Sequence, residues 1–228
     1  MPGSPDPTRP RFHGRRKGRG LKASQERALN DRLPSLSVDH DAAAADPRTL
    51  FDDPVSDVWM EIGFGGGEHL AALAAAHPEI GFIGCEPFVN GVAKLIRAVD
   101  DQGLNNVRIL ADDVRPLLNA LPDGSLGRII VLFPDPWPKK RHWDRRIVGP
   151  ETLPDMARAL RSGGLLRCAT DHPGYLDWML FHVARAEAFD WTAERPDDWR
   201  ARPADQPPTR YETKALAGRP SYLDFRRR

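Results

Sequence analysis

Five acidic side chains follow short apolar runs at similar intervals: Glu61, Glu86, the adjacent Asp112 and Asp113, and Asp135. An ionised carboxylate accepts hydrogen bonds from hydroxyls and amines and attracts cations. After Glu61 comes Gly63-Phe-Gly-Gly-Gly67, a turn whose backbone can approach a ligand closely. Asp135 opens a different kind of stretch, Phe133-Pro-Asp-Pro-Trp-Pro-Lys-Lys-Arg-His-Trp-Asp-Arg-Arg-Ile147. Pro134, Pro136 and Pro138 restrict the backbone on either side of Asp135 and Trp137. Five basic residues in eight follow, Lys139, Lys140, Arg141, Arg145 and Arg146, interleaved with His142 and Trp143. Cations meet phosphates and rings stack on unpaired bases, a combination that suits RNA better than a small substrate.

The elements that must position these groups are legible from hydrophobic pattern. Val55–Met60 reads as a buried strand, and an alanine-rich helix over 68–77 ends at Pro78. Gly81–Cys85 is a second strand, 87–101 a helix with Val89, Val92, Ala93, Leu95, Ile96 and Val99 on one face, and Val107–Leu110 a third strand. A helix over 114–121 precedes Ile129–Phe133, the most hydrophobic run and hence the central strand. A loop over 134–149, a helix over 150–161 ended by Gly163-Gly164, and a fifth strand over Leu165–Ala169 follow. The pattern then gives a helix over 177–188, an edge strand at Trp191, Pro-rich loop over 196–208, and a last strand over Ser221–Phe225 before three arginines. Alternating β and α elements predict a doubly wound, mostly parallel Rossmann-like α/β sheet of order 3-2-1-4-5, in a single domain over 55–228. All four acidic positions then fall on the carboxyl edge of the strands, around one crevice. Any one of them alone reads as a helix cap; four along one edge read as a site.

The glycine spacing argues against a dinucleotide, because Glu68 stands where G-x-G-x-x-G requires a third glycine and would repel a pyrophosphate. The E-x-G-x-G pattern resembles motif I of the S-adenosylmethionine-dependent methyltransferases. A cationic sulfonium suits an acidic crevice. Glu86, about 20 residues past the glycine turn, is placed for ribose hydroxyls. Asp113, or Asp112 beside it, is placed for the adenine amine, and Glu61 with the amides at Gly63 and Gly65 for the amino-acid end.

Composition bounds the rest. The 228 residues are 40% hydrophobic and 29% charged, with 22 prolines and a net charge of +1. Residues 1–30 carry eight Lys/Arg against Asp6 and Glu26, or +6, which leaves about −5 for the remainder. Residues 1–23 are expected to form a disordered basic arm with a polyanionic partner. Ser24-Gln-Glu-Arg27 reads as a capping box opening a short helix that closes before Pro34, and 36–54 as a lead-in loop. No leader-like or membrane-length apolar run is present, so a cytoplasmic protein is expected. Cys85 and Cys168 fall roughly 14 Å apart in the expected sheet, too far for a disulfide. The seven histidines show no metal-ligand spacing, so no metal is expected.

Together, E-I-G-F-G, F-P-D-P-W-x-K-x-R-H-x-x-R-R-I-V, Thr170-Asp-His172 and Thr209-Arg-Tyr-Glu212 resemble the tRNA (guanine-N7-)-methyltransferase family, over roughly residues 55–225. The resemblance implies that Glu61, Glu86, Asp113 and Asp135 contact S-adenosylmethionine and that Asp135 is the catalytic position. It implies that Lys139, Asp171, Thr209, Arg210, Tyr211 and Glu212 contact the substrate, and that Arg141, His142, Trp143, Asp144, Arg145 and Arg146 contact tRNA. The implied product is methylated at guanine N7 of nucleotide 46, in the variable loop. Thr-Arg-Tyr-Glu in place of Thr-Lys-Phe-Glu, and Pro138 where a polar residue is frequent, are mild departures from the family pattern. The alternatives are a methyltransferase acting on an exocyclic amine, a nucleotide-binding dehydrogenase and a non-catalytic RNA-binding module. A monomer and a homodimer are both compatible with the sequence.

Overall fold

In the fourth strand, Ile129 and Val131 pack to one face of a sheet while Ile130 and Leu132 pack to the other. A strand apolar at every position must be covered on both sides, and that requirement sets the architecture. A computed structural model describes residues 14–18, 20–209 and 217–228. The chain begins with helical turns α1 (Ala23–Arg27), a π-helical turn (Ala28–Arg32), α2 (Leu33–Leu36), α3 (His40–Ala45) and a 3₁₀ turn (Pro47–Leu50). It then alternates through β1 (Asp57–Ile62), α4 (Glu68–Ala76), β2 (Ile80–Cys85), α5 (Val89–Gln102), β3 (Val107–Leu110), α6 (Arg115–Ala120) and β4 (Leu126–Leu132). A second 3₁₀ turn (Lys140–Arg145), α7 (Leu153–Ala159), β5 (Leu160–Thr170), α8 (Pro173–Val183), β6 (Phe189–Trp191), α9 (Asp197–Arg200) and β7 (Ser221–Arg227) complete it.

The seven strands lie in the order β3-β2-β1-β4-β5-β7-β6. The first five are parallel, as expected, and β7 enters antiparallel to both β5 and β6. One face buries Leu70, Leu95, Ile96 and Val99 of α4 and α5. The other buries Leu117, Met156, Tyr175 and Met179 of α6, α7 and α8. Cys85 and Cys168 are buried free thiols. No helix among the described residues is long and apolar enough to cross a membrane.

Several boundaries differ from expectation for identifiable reasons. Helix α1 is capped at Lys22 and not at Ser24: the Lys22 N–H donates to the Gln25 side chain at 3.0 Å. Pro34 does not stop the helical run, because it falls in the first turn of α2, where a missing N–H is tolerated. The Asp and Pro residues read as loop between 36 and 54 instead start helices: the side chains of Asp39 and Asp46 accept from Ala42 and Arg48 amides. Gly163-Gly164 does not end α7. The strand already runs from Leu160, and Gly163, with φ +74°, lies where the β4–β5 register shifts. Helix α8 begins at Pro173, capped by His172, four residues before the expected start at Asp177, and ends at Val183. The three C-terminal arginines are structural: Arg226 and Arg227 donate to the carbonyls of Gly163 and Ala157, and Arg228 pairs with Asp190 at 2.7 Å.

Candidate active site

The carboxyl ends of β1 to β4 open onto one crevice of about 330 Å³, lined by Gly63, Gly65, Glu86, Asp112, Asp113 and Asp135. Leaving β1, the chain turns through Gly63, Gly65 and Gly67 at φ +76°, +57° and +80°, conformations that a side chain would strain. Helix α5 packs directly on this turn, since a Cβ on Gly91 would lie 2.0 Å from the Gly65 carbonyl oxygen. Glu86 locks the two together: its carboxylate accepts the Gly65 N–H at 2.8 Å and the Phe88 N–H at 2.9 Å. Each oxygen has capacity to accept a further hydrogen bond. Burial raises its carboxyl above the usual range; the two amides oppose this, and the charges of Asp135 and Glu61 add to it.

Asp113 is nearly buried and held by Arg115, whose Nη1 reaches both carboxylate oxygens at 3.0 and 3.1 Å. Asp112 is more exposed and pairs with Arg16 at 2.7 Å. Both line the crevice. Of the basic arm expected to be disordered, the described part is laid on the domain. The Arg16 carbonyl accepts from Val89, Gly18 donates to the Asn90 side chain, and Gly14 and Arg15 join the lining.

Asp135 stands at the mouth between two backbone outliers, Phe133 and Trp137, at φ +49° and +41°. Bulky residues rarely adopt such angles, and they persist where surrounding structure over-determines them. The Asp135 carboxylate makes no hydrogen bond or ion pair among the described residues. Its outer side meets solvent while the crevice wall desolvates its inner side, raising its carboxyl above the ordinary value. Trp137 also lines the mouth, edge-on to His142 at 5.9 Å and beneath the Arg145 guanidinium at 5.0 Å. Lys139, Lys140 and Arg141 are exposed on the turn beyond, as is Asp144.

Four expected contacts lie elsewhere. Glu61 is buried behind the glycine turn, where its Oε2 faces His69 Nδ1 at 2.7 Å, and does not line the crevice. Opposite a carboxylate that nitrogen carries the proton. Asp171 is turned away, accepting the Ala217 N–H at 3.0 Å, and Thr209 is buried. Arg146, expected to meet RNA, is buried instead. Its Nε donates to the Pro136 carbonyl at 2.8 Å, and its guanidinium lies about 5 Å from the rings of Trp143, Tyr175 and Trp178. It fastens the Asp135 loop to α8. Arg146→Lys keeps the charge but loses the planar fork, and should destabilise the fold by about 2–4 kcal/mol. Urea unfolding reads this directly, and an unchanged midpoint would remove the clamp from the account. Arg210, Tyr211 and Glu212 lie outside the described residues.

Sequence reasoning missed His69, Arg115 and the docking of residues 16 and 18 against α5. Arg115, two residues after Asp113, was the most findable. The position of His69 depends on how α4 leaves the glycine turn, which spacing alone does not fix.

Comparison with known proteins agrees with this architecture. A family described as "Putative methyltransferase" matches residues 56–222. The tRNA (guanine-N(7)-)-methyltransferase of Rhodospirillum rubrum is 55% identical over 224 residues, covering 96% of this chain and 88% of its own length. That of Paramagnetospirillum magneticum is 52% identical over 227 residues, covering 96% and 94%. Among solved structures, an rRNA methylase from Streptococcus thermophilus shares the fold, with a TM-score of 0.52 at 15% identity over 82% of this chain and 93% of that one. Glycine turn, strand-edge acids, proline-framed aspartate and these relatives converge: the chain belongs to the tRNA (guanine-N(7)-)-methyltransferase family.

Proposed function

We propose that this chain transfers the methyl group of S-adenosylmethionine to N7 of guanine in tRNA, at nucleotide 46 of the variable loop. The observation that carries this reading is Asp135: an unpartnered carboxylate, held between two strained aromatic residues, at the point where an acidic crevice meets a cationic surface. The crevice suits the cofactor chemically. Glu86 offers free acceptor sites to ribose hydroxyls, Asp113 or Asp112 to the adenine amine, and the glycine turn leaves room beside its amides. Glu61 acts at one remove, holding the turn through His69 rather than touching the ligand. When bound, the cofactor supplies an electrophilic methyl group on a sulfonium.

Guanine N7 carries an in-plane lone pair, so no side chain need remove a proton before attack. The protein's task would then be positioning, holding the base at the crevice mouth with N7 toward the bound cofactor. Asp135 orients the base and stabilises the positive charge that builds on its imidazole ring. Trp137 and Arg145 wall the mouth on the RNA side, and Lys139, Lys140 and Arg141 meet phosphates. The test is to incubate the protein with labelled cofactor and unmodified tRNA and to map the methyl group. It should fall on nucleotide 46; a methyl group confined to another nucleotide would overturn the assignment.

A pH dependence follows from the raised carboxyls. Glu86 and Asp135 attract the sulfonium only when ionised. Affinity for S-adenosylmethionine should therefore fall as pH drops, along a limb lying above the ordinary carboxylate range of about 4. Calorimetry across pH 4.5–8 reads it, and Glu86→Gln should reduce the limb's amplitude. A flat profile over that span would contradict an ionised acidic crevice.

A further inference from the structure

The aromatic groups that begin at Trp137 continue past the crevice. Trp143, on the 3₁₀ turn, meets Trp178 of α8 with ring centroids 5.3 Å apart. Trp178 lies 4.1 Å from His182, and His182 lies 5.0 Å from Phe181. The Arg185 guanidinium covers the Phe181 ring at 4.2 Å. These groups form one ridge running from the Asp135 loop to the far end of α8.

Its base is rigid. The Trp178 Nε1–H donates to the Val148 carbonyl at 2.9 Å, and the buried Arg146 guanidinium underlies both tryptophans. Its outer end is open. Phe181 is 52% exposed, although α8 already anchors itself to the core through Tyr175, Met179 and Val183. Packing therefore gives no reason for a phenylalanine there. Burial and the neighbouring Arg146 and Arg185 lower the His182 pKa, which favours the neutral ring.

We propose that this ridge is a second part of the RNA interface, on which Phe181 and Arg185 stack an unpaired base of the tRNA away from the methylated guanine. The inference rests on the tRNA reading above and extends it to a named surface. A ring beside a guanidinium plane accepts any base, because every base presents a π face. Charge favours the same occupant. The turn that carries Trp143 bears Lys139, Lys140, Arg141 and Arg145 against Asp144, and Arg185 lies over Phe181 at the other end. A second copy meeting this face across a two-fold axis would set like charges opposite each other; a polyanion would neutralise them.

The test uses the full chain and an unmodified tRNA transcript. Phe181→Ala and Arg185→Ala should each weaken tRNA binding about 5- to 100-fold, with cofactor affinity unchanged. Phe181→Trp, which keeps a stacking surface, should bind tRNA about as tightly as the wild type. Phe181 is exposed, so loss of fold is not expected, and circular dichroism of each variant checks it. Wild-type affinity in both alanine variants would overturn the proposal. So would a wild-type dimer that Phe181→Ala splits without loss of tRNA affinity, since a second copy would then occupy the ridge. If the wild type itself neither binds nor methylates tRNA, it is the proposed function that fails, and the ridge proposal with it.

Discussion

Asp135→Asn is expected to lower the single-turnover methylation rate about 10²–10³-fold with saturating cofactor, while tRNA affinity changes little. The substitution keeps the shape and one acceptor oxygen and removes only the charge. That charge has no partner among the described residues, so it is available to the guanine cation as it forms. Asp135→Ala should lose at least as much, because orientation goes as well. Asp155→Ala is the control: that carboxylate lies on α7, 3.7 Å from Arg158, and does not line the crevice. Its loss should leave the rate near wild type. A near-wild-type rate for Asp135→Asn would reduce Asp135 to a turn residue.

The second large effect is expected at Glu86. Glu86→Ala removes the acceptors for ribose hydroxyls and also frees the Gly65 and Phe88 amides from the carboxylate that joins the turn to α5. Two charge-assisted hydrogen bonds at about 1.5–3 kcal/mol each imply cofactor affinity at least 10²-fold weaker. Glu86→Gln, which retains one acceptor oxygen, should fall between alanine and wild type. Calorimetric titration measures the loss, and a parallel thermal melt separates it from unfolding. Unchanged affinity in Glu86→Ala would remove this residue from the site.

The sheet order and the crevice were legible because they depend on long-range alternation and on where strands end. Apolar runs followed by Glu86, Asp113 and Asp135 state both facts at once. What escaped depends on which side of a turn a residue leaves. Arg146 continues a basic run in the sequence, yet the 3₁₀ turn rotates it under Trp143 while Arg145 remains at the mouth. Glu61 stands inside β1, one residue before its end, whereas the other acids follow their strands, and it faces His69 behind the turn. The C-terminal arginines read as a tail because strand pattern weakens after Phe225; pairing with β5 and β6 carries the strand to Arg227. Phe133 and Trp137 look ordinary in sequence, and their strained backbone emerges only once the prolines between them are folded.

The most direct test of the central claim replaces guanine 46 of the tRNA with 7-deazaguanine, which presents a C–H where N7 would offer its lone pair. Every other contact to the base edge, ribose and phosphate is kept. This tRNA should bind as tightly as the natural one and receive no methyl group. Methylation of the substituted nucleotide at the normal rate would contradict the claim, and would place the reaction on the exocyclic amine instead.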